Sequence, residues 1–229
     1  MTLGALQGYV PQHFQAFGIP KRERTARFVE TIELLRRLWS ENNVTFDGEF
    51  FQVENATVNP SVDIPIFIGA NAEQSVKRAG RLGDGLVMSE RTSIERGKVL
   101  MDRYREGLAD SSRPSQGVAI NRSTYVAETT AQAESEVRPM MRSRVETYLG
   151  RGANDITEET RDVESQVDRM FNERLVGSPA ECLDRVRLLE EELGVDTILC
   201  MHGWREQAND KLLESIRLFS EEVIPACAE

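Results

Sequence analysis

The chain has 229 residues, of which 40% are hydrophobic and 29% are charged, a composition typical of a folded protein with one sizeable core. Its net charge of −10 argues against a nucleic-acid partner, because proteins that bind a phosphate backbone usually carry a basic patch. Three cysteines without a Cys-x-x-Cys pattern and only two histidines argue against a metal site. With no signal peptide and no long apolar run, we expect a cytoplasmic protein that contacts no membrane.

Strands and helices are predicted to alternate along the whole chain. Helices are recognised by apolar residues at spacings of three and four, and strands by short apolar runs between turn residues. Such alternation predicts an α/β fold with a parallel sheet. In chain order we expect a strand at 3–7, a helix at 21–40, a hairpin at 44–53, a strand at 66–69, a helix at 73–82, a strand at 86–89, a helix at 94–108, a strand at 118–126, a helix at 131–148, a helix that begins near 178, a strand at 197–201 and a helix at 208–223.

Two segments in this series are interpreted as structural. Residues 150–175 are polar and weakly periodic, and we interpret them as an insertion loop with a short helix, acting as a lid on a single domain over residues 1–229. Ser178 and Glu181 fit a capping box around Pro179, so Ser178 is expected to cap a helix; a catalytic serine would need a base nearby. The Gly83-Asp84-Gly85 turn is expected to end one helix and return the chain to the next strand.

The most informative stretch is the turn between the strand at 66–69 and the helix at 73–82. Backbone N–H groups at a helix start lack helical partners and carry the positive end of the helix dipole, which suits a phosphate. Small side chains allow close approach, and a serine one turn inside offers a hydroxyl. An ordinary strand–helix turn that needs small residues is the alternative. The turn predicts a site for a phosphate-bearing cofactor, with these candidate ligands: Gly69, Ala70, Asn71, Ala72 and Ser75.

Several further motifs occur in a fixed order along the chain. They are Gly8-Tyr9, the arginine-rich helix start from Arg24 to Arg27, Phe46 to Phe51, Pro65 to Ala70, Arg81 to Gly85, Val176 to Pro179, and Gly194-Val195-Asp196. In their order and spacing, over essentially the whole chain, they resemble the luciferase-like flavin-dependent monooxygenases, the superfamily that includes bacterial luciferase and the deazaflavin-dependent oxidoreductases.

This resemblance implies a (β/α)8 TIM-barrel-like fold, here incomplete. The chain is expected to hold strands 4–8 of the barrel with their helices and to lack the first three strands. In the family, much of the flavin-ring and substrate pocket, with its catalytic histidines, comes from the part that this chain lacks. The catalytic residues of this chain are therefore unknown.

The resemblance also implies contacts with the cofactor and the substrate. Gly8 and Tyr9 would lie against the flavin, and Arg24 would reach its phosphate; frayed surface and a solvated charged face are the alternatives. Residues that follow strands would border the substrate on the catalytic face, although a loop with an aromatic cover would explain the last two equally well. These substrate-pocket candidates are Ser89, His202 and Trp204.

The function implied is that of an oxidoreductase which uses reduced FMN and O2 to oxygenate a small organic substrate. A separate NAD(P)H flavin reductase would supply the electrons. One alternative is a deazaflavin coenzyme with hydride transfer, and another is a truncated, non-catalytic paralogue that binds flavin or acts as a structural subunit. Uncovered sheet edges and an open barrel interior predict a homo-oligomer.

Overall fold

A computed structural model describes residues 1–150, 162–204 and 207–227. The chain divides into two compact units. The first unit comprises Met1–Val87 and Leu100–Gly117, and the second comprises Met88–Val99 and Val118–Glu229. The prediction of a single domain stays a prediction.

The described elements follow the predicted alternation of strand and helix. In chain order they are β1 (Leu3–Ala5), α1 (Pro11–Ala16), a 3-10 turn (Lys21–Glu23), α2 (Arg24–Ser40), β2 (Val44–Asp47), β3 (Gln52–Ala56), β4 (Ile66–Gly69), α3 (Glu73–Leu82), β5 (Gly85–Met88), α4 (Ile94–Ala109), β6 (Val118–Val126), α5 (Thr130–Gly150), α6 (Val163–Glu173), β7 (Leu175–Gly177), α7 (Pro179–Leu193), β8 (Thr197–Met201), α8 (Asn209–Leu218), a π-helical turn (Phe219–Val223) and α9 (Ile224–Ala226).

The sheet of the first unit is parallel. Ala5 of β1 lies beside Ile68 of β4, and Ile68 lies beside Leu86 of β5. Ile66, Ile68 and Leu86 are almost fully buried, because short strands covered by helices are apolar throughout. The register places the carboxyl ends of β1 and β4 next to each other.

The predicted hairpin is confirmed as the antiparallel pair β2–β3. Its loop is held by a carboxylate of α2 that the sequence pattern did not indicate. Oxygens of Glu30 on α2 accept hydrogen bonds from the backbone N–H groups of Glu49, Phe50 and Phe51 at 3.1, 2.9 and 2.7 Å. The carboxylate thus satisfies three turn amides at once and ties the hairpin to α2.

Asp84 links three elements of the first unit. It is 1% exposed. Its carboxylate accepts the Ile66 N–H at the start of β4 at 2.8 Å, Nε of Arg113 at 2.6 Å and Nη2 of Arg36 at 3.1 Å. Burial by itself would raise the pKa of Asp84, but these hydrogen bonds and charges lower it below its ordinary value. The Gly83-Asp84-Gly85 turn is therefore structural, as expected.

Helices α3 and α4 approach each other closely within the first unit, at glycines. A Cβ at Gly107 would lie 2.0 Å from the carbonyl oxygen of Lys77, and one at Gly80 would lie 2.4 Å from that of Tyr104. Neither contact leaves room for a side chain, so the two glycines set the distance between the helices.

The second unit is built around the nine-residue strand β6. β8 pairs in parallel with residues 119–123, and β7 pairs in parallel with residues 124–126. β7 was not predicted, and it begins at the last residue of the 150–175 segment interpreted as an insertion loop; α6 lies inside that segment. Residues 151–161 of that segment lie outside the described residues, and its function as a lid stays a prediction.

Helix α7 begins and ends as the sequence predicts. The Ser178 hydroxyl accepts the N–H of Glu181 at 3.4 Å, Pro179 is the first helical residue, and Gly194 ends the helix in the left-handed conformation at φ 63°. The Glu181 carboxylate bonds to Thr130 and Arg185. Ser178 donates its own N–H to the Thr130 hydroxyl at 3.2 Å, so Thr130 replaces Glu181 in the second half of the capping box.

Candidate functional site

The turn between β4 and α3 consists of small residues, of which some are buried and some are exposed. Gly69 ends β4, and a Cβ there would lie 2.6 Å from Cγ of Leu6. Ala70 is buried, and its N–H donates to the carbonyl of Val87 at 3.2 Å, so this amide is committed to pairing with β5. Asn71 and Ala72 are exposed at the helix entrance.

The start of α3 has no side-chain cap. Ala72 occupies the N-cap position with extended backbone angles and, within the described residues, no side chain caps the helix there. Its carbonyl accepts the N–H groups of Ser75 and Val76, both at 2.9 Å. Glu73 stands in the first turn, and its carboxylate pairs with Nε of Arg103 at 3.1 Å. An alanine cap with a neutralised acid beside it keeps the positive end of the helix dipole available to an anion.

Two other predicted segments lie at the same edge of the first unit. Leu6, just after β1, contacts the Gly69 position. The Thr25 hydroxyl at the start of α2 donates to Oε1 of Gln7 at 3.2 Å. The chain turns at Gly8 with φ 72°, and the Tyr9 side chain is 78% exposed. The residues that follow β1, the start of α2 and the β4–α3 turn are thus neighbours.

Arg24 faces other arginines. Burial, the positive charge of Arg81 and that of Arg24 together lower the pKa of Arg78 on α3. Arg27, by contrast, is engaged: it bonds to Glu23 at 2.9 Å and lies 4.4 Å above the ring of Phe50. Arg24 therefore retains a charge that an anion could use, whereas Arg27 has a structural function.

The three substrate-pocket candidates belong to the second unit. The Ser89 hydroxyl accepts the N–H of Arg91 at 3.2 Å. His202 packs edge-on against Phe219 with ring centroids 5.2 Å apart, and burial lowers its pKa. Trp204 is 7% exposed and packs into a buried cluster with Tyr125, so it acts as the aromatic cover of the loop. Nδ1 of His202 and Nε1 of Trp204 have no hydrogen-bond partner in the described part of the chain.

Sequence reasoning missed a set of buried charged residues in this unit. Arg122 lies in the centre of the apolar strand β6, and Arg174 immediately precedes β7; both are nearly fully buried. A charged residue inside an apolar strand was the available signal. The partners of Arg122 are distant in the sequence, so the pattern alone could not identify them.

Other features of the described residues carry no chemistry. No group of three or more His, Cys, Asp and Glu side chains there is placed to hold a metal ion. No helix among these residues is long and apolar enough to cross a bilayer. A shallow cavity of about 500 Å³ lies along one face of α5 beside Arg138 and Pro139. Arg138 is already paired with Glu134 and Asp168, so this cavity offers no free recognition group.

Known proteins share both sequence and fold with the chain. Over 95 residues it is 39% identical to the F420-dependent glucose-6-phosphate dehydrogenase of Kineococcus radiotolerans; the match covers 40% of this chain and 28% of that relative. The monooxygenase RslO1 from Streptomyces bottropensis superposes with a TM-score of 0.81 at 24% identity, over 99% of this chain and 68% of that one.

A second solved structure gives the same fold. The oxygenating constituent of 3,6-diketocamphane monooxygenase from Pseudomonas putida, in complex with FMN, superposes with a TM-score of 0.75 at 18% identity, over 98% of this chain and 70% of that one. The predicted fold class is thus confirmed: an α/β, TIM-barrel-like fold that is present in part. The sequence model for luciferase-like monooxygenases matches residues 1–197. The chain therefore belongs to the luciferase-like monooxygenase family, whose members are oxidoreductases.

Proposed function

We propose that the chain binds the phosphate of a deazaflavin coenzyme at the β4–α3 turn and contributes to an oxidoreductase acting on a small organic substrate. The observation that carries this proposal is the start of α3, where the N-cap is Ala72 and no side-chain cap forms among the described residues. The N–H groups and the positive end of the dipole at such a helix start attract anions. The small residues of the turn fit a phosphate-bearing group.

The choice of deazaflavin over FMN rests on sequence identity. The matched relative at 39% identity is named for its dependence on F420, a deazaflavin, whereas the likeness to the FMN complex is at 18% identity. When bound, a deazaflavin coenzyme supplies hydride transfer to or from the substrate.

Different residues of the first unit would bind different parts of the cofactor. The α3 dipole and the Ser75 hydroxyl would bind the phosphate, and Arg24 would add a charge-assisted bond. The side chain of Leu6 fills the space beside Gly69, so the phosphate would approach from the exposed side of the turn at Ala72. Tyr9, which is exposed at the same edge, would lie against the ring system of the cofactor.

The second candidate function is an FMN-dependent monooxygenase. The observation in its favour is the likeness of fold to the monooxygenase RslO1, which covers 99% of this chain. That reaction would use O2 and electrons from a separate NAD(P)H flavin reductase. Ser89 and His202 would border the substrate in either case, and the homo-oligomer expected from the sequence would cover the sheet edges.

The proposal is tested by giving the helix its own negative cap. Ala72→Asp places a carboxylate at the N-cap of α3, where it would stabilise the helix by about 1 kcal/mol and repel a phosphate. We expect the affinity for the deazaflavin coenzyme, and for FMN in a parallel titration, to fall at least about tenfold by fluorescence quenching. A thermal unfolding midpoint that does not fall would show that the variant is folded.

A matched control is available at another helix. Ala208 is the exposed N-cap of α8 and also lacks a side-chain cap in the described structure, so Ala208→Asp makes the same chemical change away from the turn. This variant should keep its cofactor affinity. Equal affinities for Ala72→Asp and the unaltered chain would refute the site, and the ratio of the two dissociation constants identifies the preferred cofactor.

A further inference from the structure

Three arginines of the first unit act on one another through their charges. Arg24 begins α2, and Arg78 and Arg81 lie three residues apart on α3, a spacing that makes them neighbours on one side of the helix. We name these three residues the arginine triplet. Arg24 and Arg78 are half-buried, and Arg81 is exposed. Burial and the charges of Arg81 and Arg24 lower the pKa of Arg78, so the fold holds this cation in an unfavourable place.

The acids around the arginine triplet do not compensate its charge. Those that flank α2 and α3 are each engaged with another arginine: Glu23 with Arg27, Glu73 with Arg103, and Asp84 with Arg36 and Arg113. Within the described residues, no hydrogen bond or ion pair links a member of the triplet to a carboxylate. Three uncompensated cations in a chain with a net charge of −10 need a physical explanation.

The arginine triplet continues from the turn proposed for the phosphate. Ser75, Arg78 and Arg81 follow one another on α3 in steps that rise about 4.5 Å each along the helix axis. Long helical side chains lean toward the start of their helix, so we expect the guanidinium group of Arg78 over the first turn, which has no side-chain cap in the described structure. The charge of Arg24 also acts at Arg78, so the start of α2 borders the same side of α3.

We propose that the arginine triplet binds a second anionic group of the coenzyme, about one helical turn from the phosphate at the β4–α3 turn. This inference rests on the proposed function, because that function places the first phosphate. Guanidinium groups form charge-assisted hydrogen bonds with carboxylates and phosphates, so either group would relieve the mutual repulsion of the arginines. The coenzyme class is then one with two separate anionic groups, whereas the single phosphate of FMN would leave the triplet unused.

The experiment measures dissociation constants for the full chain by isothermal titration calorimetry at constant ionic strength. The probes are inorganic phosphate, tripolyphosphate, and 3-phosphonopropionate, which carries one phosphonate and one carboxylate. We expect at least one two-group probe to bind at least about tenfold more tightly than phosphate. A gain for tripolyphosphate alone would identify the second group as a phosphate, a gain for 3-phosphonopropionate alone would identify a carboxylate, and a gain for both would admit either. No gain for either probe would overturn the proposal.

Arg78→Gln separates recognition by the arginine triplet from general attraction of anions. It should weaken the affinity for the tighter probe at least about tenfold and change the affinity for phosphate less than about threefold. Arg217→Gln is the matched control, because it makes the same change in net charge at an exposed residue of α8 that pairs with Glu221 at 2.7 Å. Equal losses of affinity in the two variants would overturn the proposal.

A failure of this inference can be told apart from a failure of the proposed function. Ala72→Asp acts on the first anionic group and should weaken the binding of phosphate and of the two-group probe alike. If Ala72→Asp has this effect and Arg78→Gln has none, the turn remains a phosphate site and the inference is overturned. If Arg78→Gln has its effect and Ala72→Asp has none, the turn is refuted, and with it the assignment of the triplet to a second group.

The stability of the chain without ligand tests the charge argument independently. Arg78→Gln removes a cation that its arginine neighbours repel and keeps part of the apolar stem, so the thermal unfolding midpoint should not fall. An unchanged or higher midpoint together with a lost gain for the two-group probe would support the proposal. A midpoint several degrees lower would show that Arg78 makes a stabilising contact within the fold, and it would contradict the proposal.

Discussion

Two strand–helix junctions of this molecule solve the same problem in opposite ways. At the β7–α7 junction, Ser178 caps the helix, and Thr130 satisfies the backbone of the cap. At the β4–α3 junction, the cap position is held by Ala72, and no side-chain cap forms there within the described structure. Both helices need acceptors for their first N–H groups. One junction is completed by its own side chains, and the other has the form of a site completed by an anion.

The comparison teaches where to look for a ligand in a repeated fold. A missing side-chain cap is not enough, since Ala208 leaves the start of α8 uncapped as well. The useful signal was a missing cap combined with a turn of small residues directly after a strand. Ser178 and Pro179 show in the sequence that α7 supplies its own cap, whereas Ala70 and Ala72 carry no polar side chain that could cap α3.

The largest effect is expected from removing the charge that holds β4, the strand of the β4–α3 junction, in place. Asp84→Asn removes the charge that holds the start of β4 together with Arg36 and Arg113, and it should destabilise folding by about 3 kcal/mol. Urea unfolding would measure the loss. Asp102→Asn is the control, because Asp102 is exposed and pairs with Arg105 on the same helix. A loss below about 0.5 kcal/mol would contradict the central position given to Asp84.

The same carboxylate predicts a dependence on pH. The pKa of Asp84 is lowered in the folded chain, so its stabilising contribution is complete above the unfolded value of about 4 and is lost as the pH falls through the folded value. The difference in unfolding free energy between the unaltered chain and Asp84→Asn should be constant near neutrality and shrink below about pH 4. A difference that grew on acidification would have the wrong sign.

The self-capped junction should respond in stability alone. Ser178→Ala removes the cap of α7 and should cost about 1 kcal/mol, because a first-turn N–H loses its acceptor. The dissociation constant for the flavin-type cofactor should not change. A loss of cofactor affinity in this variant would break the distinction between the two junctions.

The smallest effect is expected from converting one junction into the other. Ala72→Ser gives α3 a hydroxyl acceptor and should raise the unfolding free energy by about 0.5 kcal/mol, measured by urea unfolding without cofactor. The stability lost in Ser178→Ala, the converse change at α7, shows how large the effect of one side-chain cap is in this protein. If stability does not rise, the first-turn N–H groups of α3 already have partners, and the anion site is refuted.

The sequence predicted those parts of the fold that depend on local patterns. Apolar spacing located α2 and α3, and the Ser178–Pro179 pair located the start of α7, because these signals lie within one or two turns of chain. Strand β7 has only three residues and follows a polar stretch, so it was missed. Helix α1 is a single short turn around Pro11, and its apolar content is too small for a periodic signal.

The candidate sites show the same limit. The β4–α3 turn could be recognised as a candidate site because its small residues and the helix that follows them are adjacent in the sequence. The sequence around the turn could not show that the Ala70 N–H donates to the carbonyl of Val87, because this partner lies on another strand. Arg122 and Arg174 are both buried and close enough for the charge of Arg174 to lower the pKa of Arg122, yet no residue adjacent to either one in the sequence indicates the other.

The close approach of α3 and α4 has a consequence for how the turn can be altered. The glycines at 80 and 107 leave no room for a methyl group against the backbone of the opposite helix, so they fix the distance between the axes of α3 and α4. A methyl group at position 107 would tilt the axis of α3 and change the direction of its helix dipole. A substitution on the face of α4 that contacts α3 would therefore weaken anion binding at the turn without contacting the turn. A mutational survey confined to the turn itself would overlook this effect.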